Sequence, residues 1–105
     1  MISLKALAIA AVLAAVVTPA KADENYICHA ADGTLARVTI IDDAKAASYG
    51  MSRLWISVDG LKTWASDYVN YPYPMLVFNN GIFGRPAYDV YKLTYLKMQY
   101  ACDPL

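Results

Sequence analysis

Cysteine beside histidine is the one pairing in this chain whose residue types could run covalent chemistry. Cys28 and His29 are adjacent, and His29 is the only histidine. An imidazole within reach of a thiol can generate the thiolate that acts as a nucleophile. Neighbours on a strand point to opposite faces, however, so an imidazole at 29 would turn away from a thiol at 28. Cys102 is the only other cysteine. Two cysteines with no third imply one disulfide in an oxidising compartment, which removes the nucleophile. The predicted bond is Cys28 to Cys102. A serine triad would need the same His29, and the chain has no Gly-x-Ser-x-Gly turn.

Other chemistries find less support. Asp42-Asp43 is a carboxylate pair, but adjacent acids at a helix start are explained by capping and the helix dipole. His29 with Asp32 is a single H-x-x-D spacing, whereas zinc needs three or four N, S or O ligands. Gly81-x-x-Gly84 fits a hairpin turn rather than a phosphate cradle. The expectation is a protein that is not an enzyme and holds no metal and no cofactor.

The aromatic residues are in surplus. All nine Tyr, both Trp and both Phe follow residue 22. Trp64, Tyr68, Tyr71 and Tyr73, with Asp67 and Asn70 among them, form the densest cluster outside a predictable strand. Tyrosine tolerates half-exposure and is enriched where proteins bind, and loops on rigid scaffolds carry recognition. These six residues are the candidate binding set. The competing expectation is that their rings cap the ends of a small core.

The elements that must position them begin after an export signal. Lys5 ends a short basic stretch, residues 6–17 are an unbroken apolar run, and Ala20-Lys21-Ala22 offers small residues at a cleavage site. That run is short of the ~20 residues a membrane helix needs. The expected organisation is a cleaved signal peptide, 1–22, and one small disulfide-tied β domain, 23–105, in the periplasm or secreted, with no membrane span after cleavage. Without Lys5 and Lys21, seven basic residues face nine acidic ones, scattered mostly singly. No basic stripe or polybasic patch stands out, which argues against nucleic acid and anionic lipid as partners. Another exported or envelope protein is the partner class that remains.

Three turn signals punctuate the domain: Asp32-Gly33, Asp59-Gly60 and Asn80-Gly81. Asp-Gly and Asn-Gly suit two-residue type I′ turns, so three hairpins are predicted. Their strands are residues 25–31 with 34–41, 53–58 with 61–65, and 75–79 with 82–83. Between the first two hairpins, residues 42–50 carry acid at the start, alanine and lysine inside and glycine at the end, which predicts a short capped helical turn. Tyr71-Pro72-Tyr73-Pro74 belongs in a loop or at an edge, since proline lacks the ladder N–H. Residues 87–102 read either way. Tyr91, Tyr95, Met98 and Cys102 share a helical face, yet Tyr91, Leu93 and Tyr95 alternate, as do Leu96, Met98, Tyr100 and Cys102 one residue out of phase, which a bulge near Tyr95-Leu96 would reconcile. A bent strand or two short strands are favoured by the β-branched and aromatic content.

A disulfide between first and last strands requires their Cα atoms within ~7 Å. The predicted fold is mainly β: a small antiparallel meander closing into a barrel or curled sheet, with a curled sheet and C-terminal helix as the alternative. Tyr26-Ile27-Cys28 and Cys102 resemble the outline of periplasmic lysozyme inhibitors, which are compact barrels. Ser66-Asp67-Tyr68 departs from that family's Ser-Gly-x-x-Tyr-type inhibitory loop. The expected function is an exported binding module that engages another protein through its aromatic loop. The alternatives are a structural, envelope-associated protein or a carrier of a small apolar ligand.

Overall fold

Period-two burial runs through the first strands. In β1 (Glu24–Ala30) Tyr26 and Cys28 are buried and their neighbours are not. In β2 (Leu35–Ile41) the buried residues are Ala36, Val38 and Ile40, and in β3 (Ser52–Ser57) Leu54 and Ile56 continue that face. The computed structural model describes residues 23–105, so the expected signal segment, 1–22, lies outside the described residues. Five further strands follow: β4 (Ala65–Val69), β5 (Met75–Phe78), β6 (Gly81–Gly84), β7 (Tyr91–Tyr95) and β8 (Met98–Pro104). All eight described strands belong to one antiparallel sheet of order β4-β3-β2-β1-β8-β7-β6-β5, curled into a nearly closed barrel. The expected mainly β barrel therefore forms.

Cys28 and Cys102 are bonded, and they sit directly opposite each other on β1 and β8 with Cα atoms 3.9 Å apart. First and last strands thus pair in the middle of the sheet. The edges of the sheet are β4 and β5, consecutive in sequence but not joined by a backbone ladder. The barrel's seam therefore falls mid-chain, beside the irregular stretch of residues 70–74. Phe83, Leu54, Leu93, Val38 and Val69 fill the interior from both halves.

The last segment is a hairpin, and the C-terminal helix alternative does not form. Leu96 and Lys97, at φ 51° and 67°, make a two-residue turn that pairs Tyr95 with Met98 on one face. A two-residue turn places residues three apart opposite each other, which explains the phase change between Tyr95 and Met98. The helical turn between the first hairpins is present as α1 (Ala44–Ser48). Asp43 accepts the Ala46 N–H at 3.0 Å as its cap, and the Ala46 side chain is buried.

All three turns differ from expectation. The first is a three-residue loop, 31–33, closed by the Ala30 N–H on the Thr34 carbonyl at 2.9 Å, with positive φ (90°) on Gly33 and not on Asp32. Asp59-Gly60 does not close a tight hairpin: β4 begins at Ala65, after a loop of residues 58–64. The Asp59 carboxylate organises that loop by accepting the Lys62 and Thr63 N–H groups at 3.1 and 3.0 Å, together with the Thr63 hydroxyl. Those bonds hold the Asp59 carboxyl down at about 2. The third turn lies one residue earlier than predicted, at Asn79-Asn80, with the positive φ of 65° on Asn80. Gly81 is needed instead for close approach. A Cβ there would lie 2.5 Å from the Thr94 carbonyl oxygen.

Candidate functional site

At one end of the barrel, β1 begins, β6 ends and β7 begins, and the 70–74 loop crosses between β4 and β5. Glu24 enters this end by the same alternation that buries Tyr26 and Cys28. Its carboxylate accepts the Tyr26 hydroxyl at 2.6 Å and the hydroxyl of Tyr71, which comes from the loop. Tyr26 also packs against Phe83 and Tyr91, with ring centroids 4.8 and 4.7 Å away, and Phe83 stacks on Tyr91. Arg85, just past β6, places its guanidinium carbon 5.2 Å from the Tyr91 centroid and donates its Nε–H to the Asp89 carbonyl at 2.7 Å.

These groups surround an open cavity of about 310 Å³ at the mouth of the barrel, with Tyr73 and Pro74 at its rim. Burial, then the bond to Glu24, pushes the Tyr71 phenol up to about 12. The same two causes, in the same order, raise the Tyr26 phenol above its ordinary value. Both rings therefore stay protonated and donating across the neutral range. Asp42, beyond the end of β2, adds to the negative field at Tyr71.

The six residues singled out in the sequence do not form one patch. Tyr71 is half-buried against the core, and Tyr73 is 65% exposed beside it at the mouth. Asn70 belongs to the same loop, and its carbonyl accepts the Tyr73 N–H at 3.2 Å. Asp67 lies in the seam, accepting the Tyr68 N–H at 2.8 Å and the Asn79 N–H at 2.7 Å. Tyr68 turns to the outer face, where Arg53 lies 4.7 Å from its ring centroid and donates to its hydroxyl at 3.1 Å. Trp64 is on another part of the outside, forming with Trp55 and Thr39 an open cleft of about 320 Å³.

Five contributors to the mouth escape sequence reasoning: Glu24, Tyr26, Phe83, Arg85 and Tyr91. The one available signal was the alternation that places Glu24 two residues before Tyr26. Of the candidate chemistry, Cys28 is buried in its disulfide while His29 is exposed on the opposite face of β1. Asp43 caps α1 and pairs with Arg53 at 3.4 Å; the Ala46 N–H, then Arg53, holds its carboxyl below the ordinary range.

Fold and site together define a small, disulfide-tied antiparallel barrel with a tyrosine-lined mouth. Compared with known proteins, the chain matches no family model, no curated protein and no solved structure.

Proposed function

We propose that this chain is an exported binding module that engages another protein through the mouth of the barrel. One observation carries the reading. The 71–74 loop is anchored by the Tyr71 hydroxyl on Glu24, while Tyr73 two residues later is 65% exposed beside an open cavity. A pre-ordered aromatic loop loses little conformational freedom on association, which favours it as a recognition element. The interior is filled by core side chains, so the mouth offers more room than the barrel itself for any partner group.

Affinity capture from envelope and exported fractions tests this, using oxidised wild type, Tyr73→Ala and Trp64→Ala. A partner held by wild type and Trp64→Ala but released by Tyr73→Ala supports the mouth as the binding face. Capture indifferent to Tyr73 counts against it.

A structural role through self-association is the second reading. Val77 and Ile82, paired across β5 and β6, are 70% and 41% exposed beside the β4–β5 seam, where the sheet has no backbone ladder. Sedimentation that depends on concentration in wild type and not in Val77→Lys would favour it; a monomer at all concentrations would remove it.

A further inference from the structure

We propose that the mouth binds an organic cation, an ammonium or guanidinium head, between the Glu24 carboxylate and the tyrosine rings around it. This rests on the mouth being the binding face, and it specifies the chemistry that face selects.

The first argument is charge. Glu24 is half-buried, and the two groups bonded to its carboxylate are phenol hydroxyls, which donate hydrogen bonds but bring no positive charge. Arg53, near the start of β3 at this end of the barrel, is paired with Asp43 at 3.4 Å and not with this carboxylate. Carboxylates withdrawn from water are ordinarily paired, and this one faces a cavity. Two bonds leave half of a carboxylate's acceptor capacity for a ligand.

Ring placement is the second. Tyr26, Tyr71, Tyr73 and Tyr91 line the same cavity as Glu24. Aromatic faces attract cations through the ring quadrupole, and an acid set among several such rings is the composition that holds alkylammonium groups. The chain already uses one of these rings in this way, since Arg85 sits over Tyr91. The Nε–H of that guanidinium also donates to the Asp89 carbonyl.

The field and the size bear on the ligand. Asp42 adds negative potential at Tyr71, although burial is the larger cause of the raised Tyr26 and Tyr71 phenols and Arg85 brings a positive charge to the same cavity. About 310 Å³ lies at the small end of ligand cavities, so a side-chain head or a small quaternary ammonium fits better than an extended ligand. The shared chemistry has two sources: a lysine or arginine presented by a partner protein, or a free alkylammonium.

Titration of the isotope-labelled, oxidised protein by NMR tests the proposal. The probes are tetramethylammonium, N-acetyl-lysine methylamide, the same lysine derivative acetylated on Nζ, and neutral tert-butanol. Saturable shifts centred on Glu24, Tyr71 and Tyr91 are expected for the cations, with Kd of about 1–10 mM for isolated heads. The acetylated lysine and the alcohol should give none. Tyr73→Ala should weaken the cations about tenfold, and Tyr73→Phe should restore them. Glu24→Gln removes the charge and keeps an acceptor oxygen. Should it loosen the loop, the Tyr73 pair and the neutral probes still decide.

Lysine binding tighter than tetramethylammonium points to a partner side chain, and the reverse order to a free ammonium; either supports the proposal. Equal binding of the neutral probes, or no saturation by any cation, overturns it. If partner capture depends on Tyr73 while cations fail to bind, the mouth is a protein-binding face of other chemistry and this inference alone falls.

Discussion

Asp67 accepts the Asn79 N–H at 2.7 Å across the seam between β4 and β5, where the sheet has no backbone ladder. Its other oxygen accepts the Tyr68 N–H of its own strand at 2.8 Å, so one carboxylate blunts an edge and bridges it. Asp67→Ala should destabilise the fold by about 1–2 kcal/mol, with Asn79 amide exchange accelerating more than that of β1 or β8. Asp67→Asn, which keeps an acceptor, should lose less. Unchanged exchange at Asn79 would mean the seam is held by something else.

The disulfide should contribute much of the stability of so small a domain. It joins residues 74 apart in sequence, and closing a loop of that length restricts the unfolded chain by about 4 kcal/mol. Replacing both cysteines with alanine should therefore lower Tm by about 15–30 °C. Calorimetry with and without reductant measures it. The β1–β8 ladder itself remains, so the variant should still fold when cold, and a variant that never folds would show that the bond is needed to form that pair.

The Leu96-Lys97 turn offers the opposite sign. Both residues adopt positive φ, and Leu96 is 58% exposed, so its side chain contributes little packing. Asn-Gly at these positions suits the turn and should stabilise the protein by about 1–2 kcal/mol, read as a higher denaturant midpoint. No gain would mean that the Leu96 N–H bond to the Asn80 carbonyl, 3.0 Å long, already determines the turn.

What the sequence made legible was what local pattern encodes. Cys28 and Cys102 located the pairing of first and last strands, the acids at 42–43 marked the start of α1, and the phase break after Tyr95 marked an interruption, which is a two-residue turn and not the bulge expected near Leu96. Turn chemistry misled where a side chain overrode it. Asp59 stands in an Asp-Gly pair, yet its carboxylate gathers donors as far as Thr63 and lengthens the loop. Leu96-Lys97 turns without any residue that favours a turn. The candidate cluster was broken up by the period of the strand: Asp67 and Tyr68 are neighbours and therefore face opposite sides of β4. Glu24 was unreadable as a site residue because its partner Tyr71 lies 47 positions away.

Gly84 couples the fold to the mouth. A Cβ there would lie 2.0 Å from the Pro74 carbonyl oxygen and 2.7 Å from the Met75 sulfur. The obstruction is backbone, so it cannot be relieved by a rotamer change. Gly84→Ala should cost about 3 kcal/mol and displace the 71–74 loop. Amide shifts concentrated on Tyr71 and Tyr73, with those of Leu35 and Ser57 at the far end unmoved, would confirm the coupling. A variant as stable as wild type would show that the loop is free to yield.

Alkaline pH should release that loop through Tyr71. Its folded phenol is held up at about 12, against an ordinary value of 10.0. A raised folded value means the unfolded chain gives up its proton first. The associated stability is thus fully present below about pH 10 and is lost as pH climbs towards 12. Tyr26, raised by burial and by Glu24, acts with the same sign. Tyr71→Phe removes one of the two phenols, together with its bond to a carboxylate, and should cost about 2 kcal/mol at neutral pH. Its denaturant midpoint should then fall less steeply than wild type through the alkaline range, so the two curves converge. Parallel curves would mean the Tyr71 hydroxyl bond to Glu24 contributes nothing to holding the loop. Convergence would place the anchoring of the loop in that bond, and with it the ordered presentation of Tyr73.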